Sequence, residues 1–112
     1  MDVIDEKLAQ KPPQFDPWKA RKARESLPIS QRSLAQRMGM GPRGAEYVCR
    51  CESWVLGVTP GRLFAWARAL RIARVHLLSD EAGLAESRRQ FDAWVAEGRP
   101  PVREFVLHNL AQ

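Results

Sequence analysis

With 112 residues, 45% of them apolar and 28% charged, the chain has room for one compact domain with extensions, and its composition is that of a globular protein. Its longest strictly apolar run, Leu63 to Ala67, is far too short to cross a bilayer, which argues against a membrane partner. The acidic start Met1-Asp2-Val3-Ile4-Asp5-Glu6 lacks the apolar stretch of an export signal, so a cytoplasmic protein is expected. The net charge of +5 is unevenly spread. Residues 17–75 set twelve Lys and Arg against Glu25, Glu46 and Glu52, for +9, while residues 1–16 and 76–112 each come to −2. A basic centre between mildly acidic ends suits a phosphate-binding module with separate flanks, and equally a solvated basic face.

Taken in chain order, residues 1–15 read as an arm with room for one short helical turn, stopped by Pro12-Pro13. Asp16-Pro17 offers a cap acceptor followed by proline at the first helical position, predicting a helix from Pro17 to about Leu27. Trp18, Ala20, Ala23 and Leu27 would face inward, and Lys19, Arg21, Lys22 and Glu25 mostly outward. Ser30 caps a second helix, Gln31 to Met38, with Leu34, Ala35 and Met38 as its apolar stripe and Gly39 closing it. After the turn 40–44, a third helix is predicted from Pro42 or Ala45 to about Trp54. Thr59-Pro60 repeats the cap-plus-proline signal and opens a fourth, running to Leu70 with Leu63, Trp66, Ala67 and Leu70 inward. A short fifth lies within Arg71 to Leu78. Ser79-Asp80 caps a sixth, Glu81 to Glu97, with Leu84, Phe91, Trp94 and Val95 apolar. Gly98 and Pro100-Pro101 turn the chain into a last amphipathic helix, Val102 to Leu110. No stretch shows strand alternation, and the expected fold class is all-α.

The stretch Ser30-Gln31-Arg32-Ser33-Leu34-Ala35-Gln36-Arg37-Met38-Gly39, with Arg24 before it and Leu63, Ala67 and Leu70 after it, resembles the lambda-repressor-like (XRE-type) helix-turn-helix family. Ala35 is small where a second helix must cross, and Gly39 supplies a conformation that a Cβ hinders. The resemblance covers about residues 17–78. It implies a five-helix domain whose third helix enters the major groove of duplex DNA, and a backbone-phosphate contact from Gln31, with Arg32 beside it in that role. This chain is a few residues longer than the usual family spacing between Gly39 and Leu63. If the extra residues fall in the turn, Val48 and Glu52 take the family's apolar and acidic positions in the third helix; if they fall after it, Ala45 and Val48 are its core positions. On a helical wheel Arg43, Glu46, Tyr47 and Arg50 share one polar face and Ala45, Val48 and Val55 lie opposite. Such a face offers guanidinium groups to guanine and a ring to a thymine methyl.

Other chemistries have little to work with. Cys49 and Cys51, one residue apart, diverge by roughly 200° on a helix and do not chelate one ion together. Gly39-Met40-Gly41-Pro42-Arg43-Gly44 spells a dinucleotide-site pattern but follows a helix, not a strand, and residue 64 is Phe where an acid is required. His76 and His108 sit in amphipathic segments away from any activating pattern. No catalytic residue, metal or cofactor is therefore expected, and the chain is not read as an enzyme. Trp18, Trp54 and Trp66 are read as core.

Three regions follow: an arm (1–15), a helix-turn-helix DNA-binding domain (16–78) and a C-terminal helical hairpin (79–112). The hairpin's apolar stripes either fold back on the domain or pair with a second subunit, and dimerisation is the favoured role because symmetric DNA sites are read by dimers. The expected function is that of a homodimeric, sequence-specific transcriptional regulator, a repressor, reading DNA with Arg43, Glu46, Tyr47 and Arg50. The alternative is a protein-interaction module, an antitoxin or antiactivator that keeps the helix-turn-helix and holds a partner protein on the hairpin.

Overall fold

The computed structural model of the chain describes residues 11–110, which are mostly helical with one very small sheet. In order they form β1 (Gln14–Phe15), α1 (Pro17–Ser26), α2 (Gln31–Arg37), α3 (Gly44–Glu52), α4 (Pro60–Leu70), a 3-10 turn (Arg74–Leu77), β2 (Leu78–Ser79), α5 (Glu81–Ala96) and α6 (Val102–Leu110). The short turn expected in the arm lies outside the described residues as far as Gln10. Among the described residues no helix is long and apolar enough to cross a membrane.

The helix starts follow local capping chemistry. Asp16 accepts from the backbone N–H groups of Trp18 and Lys19, Ser30 from Ser33, Thr59 from Arg62 and Asp80 from Gly83. Gly39 (φ 75°) and Gly98 (φ 86°) turn the chain after α2 and α5 in the left-handed region where a Cβ is unfavourable. The short fifth helix expected within Arg71 to Leu78 is the 3-10 turn Arg74–Leu77. One expectation needs correction: a sheet exists, in which Gln14 pairs with Ser79 and Phe15 with Leu78, antiparallel. Two residues per strand are too few to leave an alternating pattern in the sequence.

Two apolar clusters share α1. The first joins Ala20 to Leu34, Ala35, Val48, Cys51, Trp66, Ala67, Leu70 and Leu77, with the Phe15 ring tilted against Trp66 at 4.9 Å between centroids. The second surrounds Trp18 with Phe91, Trp94, Val102 and Phe105, ring centroids 5.6–6.4 Å from the indole. Trp54 is only half-buried, packed at the edge of this second cluster. The stripe that suggested a subunit interface is thus filled within the chain: Phe91 and Phe105 close on Trp18. Of the other stripe positions, Val95 is exposed and Leu84 half-buried, since the docking surface is an aromatic wedge centred nearer Phe91 and Trp94. Polar bonds fix the docking. Trp18 Nε1 donates to Gln90 Oε1 at 2.9 Å, and the hydroxyls of Ser79 and Ser87 both donate to buried Asp16 Oδ2.

Within α1, Leu27 is exposed because the helix ends before it, and Arg21, expected outward, is buried. Arg21 lies with its guanidinium 4.6 Å from the Trp94 ring centre and 3.6 Å from Glu52. An aromatic from the hairpin on one side and an acid from α3 on the other draw it inward.

Candidate nucleic-acid interface

Helix α3 meets α2 at close range because both contribute their smallest residues at the crossing. A Cβ placed on Gly44 would lie 2.8 Å from Ala35 Cβ and 2.7 Å from Met40 Cβ, so only glycine fits there without displacement. Val48, Cys51 and Glu52 on α3 are fully buried, and Gly44 is buried with them. Ala45 is only half-buried.

Glu52 is a charged residue with no exposed surface, and its oxygens are met from two helices. Arg24 clamps it with two bonds, Nε to Oε2 at 2.7 Å and Nη2 to Oε1 at 2.9 Å, while Gln31 Nε2 donates to Oε1 at 3.1 Å. Arg24 Nη1 donates in addition to the Ile29 carbonyl at 2.8 Å, tying the α1–α2 connection to the same point. Burial alone would lower the Arg24 pKa, but the Glu52 bonds more than offset it and the guanidinium is held above its ordinary value. Arg21, for which burial is the largest influence and Glu52 is farther, is pushed down. A fork-shaped donor facing a carboxylate gives orientation as well as attraction, so the carboxyl end of α3 is fixed against α1 and α2.

With Val48, Cys51 and Glu52 directed inward, the opposite row of α3 is left in solvent: Glu46, Cys49 and Arg50, preceded by Arg43. Arg43 sits at the N-cap and is exposed, so it begins this row and does not lie on the regular helical wheel. Glu46 and Arg50 form an exposed i,i+4 ion pair at 2.7 Å; such pairs contribute about 0.3–0.5 kcal/mol and are easily exchanged for another partner.

Tyr47 departs from the expected polar face. It is half-buried, with its ring 6.5 Å from Trp66, Arg62 stacked 5.4 Å over it, and Cys51 beside its hydroxyl. Burial, reinforced by Cys51, pushes its phenol up to about 12. Val55, expected opposite the polar face, is exposed, because α3 stops at Glu52 and Trp54 reverses the backbone with φ 67°.

Gln31 and Arg32 lie at the start of α2. The Gln31 amide is already bonded to Glu52, which leaves its second N–H for a ligand, while Arg32 is exposed beside Gln36 and Ala45 along the shallow groove between α2 and α3. The structure therefore gathers Arg32, Arg43, Glu46 and Arg50 on or beside the α3 surface, with Gln31 and Tyr47 half-buried. Two exposed residues went unnoticed in the sequence. Cys49 takes the outward place assigned to Tyr47, and counting three onward from Glu46 finds it. Arg62 reaches α3 from α4 only through the tertiary fold. Comparison of the chain with protein-family models, curated proteins and solved structures returned no significant match.

Proposed function

We propose that the chain is a sequence-specific duplex-DNA-binding regulator of the helix-turn-helix kind, in which α3 enters the major groove. The observation that carries this reading is the contrast across α3. One side is fastened by the buried Glu52–Arg24 clamp, and the other presents Arg43, Glu46 and Arg50 exposed to solvent. A groove-reading helix needs rigid placement together with exposed guanidinium groups; Arg43 and Arg50 supply these, and the exposed Glu46 pair of Arg50 is easily exchanged for the paired acceptors of guanine. Arg32 and the second N–H of Gln31 flank the helix where phosphates pass, and would set the register without reading sequence. One such module spans few base pairs, so selective binding calls for two copies on a symmetric site. The stripe of Phe91 and Phe105 is not available for that contact. Occupation of a promoter then accounts for regulation as repression.

Duplexes selected from a random library on the full chain, followed by fluorescence anisotropy across a salt series, test the reading. Affinity for the selected site should fall steeply with salt as counterions are released. Arg50→Ala should cost about 1–3 kcal/mol on the selected site and little on random duplex, whereas Arg32→Ala should weaken both alike. Absence of any enriched sequence, or affinity indifferent to salt, overturns the proposal.

A further inference from the structure

On the side of α4 away from Arg62, two shallow grooves meet at Phe64 and Arg68, one running toward Ile72 and Val75, the other toward Arg37 and Arg71. Arg62 and Phe64 are two positions apart, about 200° around the helix, so this face is separate from the one beside Tyr47 and α3. Phe64 is 53% exposed and Val75 65% exposed, high values for large apolar side chains on a small domain. Around them stand Arg68, Arg71 and Arg74, all exposed, and among the described residues none of the three forms an ion pair; Arg74 rests 5.8 Å over the Phe64 ring. No acidic residue lines either groove.

We infer that this face is a docking surface for an acidic protein segment with an apolar anchor, which places its anchor between Phe64 and Val75 and its carboxylates on Arg68, Arg71 and Arg74. The charges select this occupant. A second copy meeting the face across a two-fold axis would set its own arginines against these, with no acid in between. A nucleic-acid backbone satisfies the arginines but leaves Phe64 and Val75 with nothing apolar to cover them. A segment combining carboxylates with an aromatic or branched anchor answers both needs, and the anchor supplies most of the affinity while the charges set orientation. The inference is independent of DNA binding by α3.

The test is fluorescence anisotropy of the full chain with a fluorescein-labelled synthetic peptide in which aspartates flank a phenylalanine and a leucine. A peptide with lysines in place of the aspartates is the control. Phe64→Ser, Val75→Ser and the charge reversal Arg74→Glu each alter an exposed side chain, and thermal melting of each checks that the fold survives. The expected result is saturable binding of the aspartate peptide, reduced about tenfold or more by each substitution, no binding of the lysine peptide, and unchanged affinity for duplex DNA in Val75→Ser. Peptide binding that survives both serine variants would show attraction by charge alone and overturn the proposal. So would equal loss of duplex binding in those variants, which would make the face a nucleic-acid surface. A dimer in sedimentation that Val75→Ser dissolves would assign the face to a second copy, and overturns it too.

Discussion

Two carboxylates, Asp16 and Glu52, are both fully buried, yet they are held by different chemistry and join different parts of the molecule. Glu52 is met by guanidinium groups, Arg24 closely and Arg21 at 3.6 Å, and it fastens α3 to α1 and α2. Among the described residues the hydrogen bonds to Asp16 come from neutral donors, two backbone N–H groups at the start of α1 and the hydroxyls of Ser79 and Ser87, with Lys22 nearby, and it fastens α1 to β2 and α5. The first arrangement concentrates one carboxylate and two guanidinium groups in a buried site, where loss of the carboxylate leaves the guanidinium groups poorly compensated. The second spreads one charge over four dipoles, so that each loss is smaller. Helix α1 carries both, so the hairpin of α5 and α6 is packed on the same helix that holds α3.

That comparison breaks most sharply at the aromatic cluster. Phe105→Asp should destabilise the chain by about 5 kcal/mol or more, since the cost of deleting a buried phenyl is joined by that of burying a carboxylate. The whole chain should then lose its single cooperative melting transition. A variant that keeps the melting of residues 16–78 while losing only α5 and α6 would show that the hairpin is separable after all.

Next in size, Glu52→Gln removes the carboxylate that clamps Arg24 and lies beside Arg21, leaving these buried arginines only the more distant Glu25, and should cost about 3–5 kcal/mol in denaturant unfolding. Asp16→Ala removes a helix cap and orphans two hydroxyls, for about 2–3 kcal/mol. If Asp16→Ala proves the more costly of the two, the contrast between a charged clamp and a dipolar one is wrong.

The smallest effect concerns Tyr47, the only tyrosine in the chain, so phenolate absorbance reports on it alone. Its folded pKa is raised from 10.0 to about 12, meaning that the unfolded chain gives up this proton first as pH rises. The folded state binds more protons in that window, so stability should fall between about pH 10 and 12 and be unaffected by Tyr47 below it. An absorbance titration with its midpoint at the ordinary tyrosine value would place the ring in solvent and return it to the outward row of α3.

Much of this was legible locally. The starts of α1, α2, α4 and α5 were visible as Asp16-Pro17, Ser30, Thr59-Pro60 and Asp80, and the turns as Gly39 and Gly98, because capping and left-handed turns depend on side chains within a few residues of the backbone they serve. Periodicity likewise identified Leu34, Ala35, Trp66, Ala67 and Leu70 as core, and, of the face assigned to Arg43, Glu46, Tyr47 and Arg50, placed Glu46 and Arg50 outward on α3. What periodicity does not contain is the identity of the surface that covers a stripe, since one apolar face is as complementary to a twin as to another helix of its own chain. Only the tertiary structure decided that Trp18 fills the hairpin, that Arg21 turns inward between Trp94 and Glu52, and that Tyr47 leans on Trp66 while Cys49 faces out. It alone paired Gln14 with Ser79. Each of these is a meeting of residues far apart in the chain, settled by which arrangement leaves the fewest apolar rings in water and the fewest buried charges without a partner.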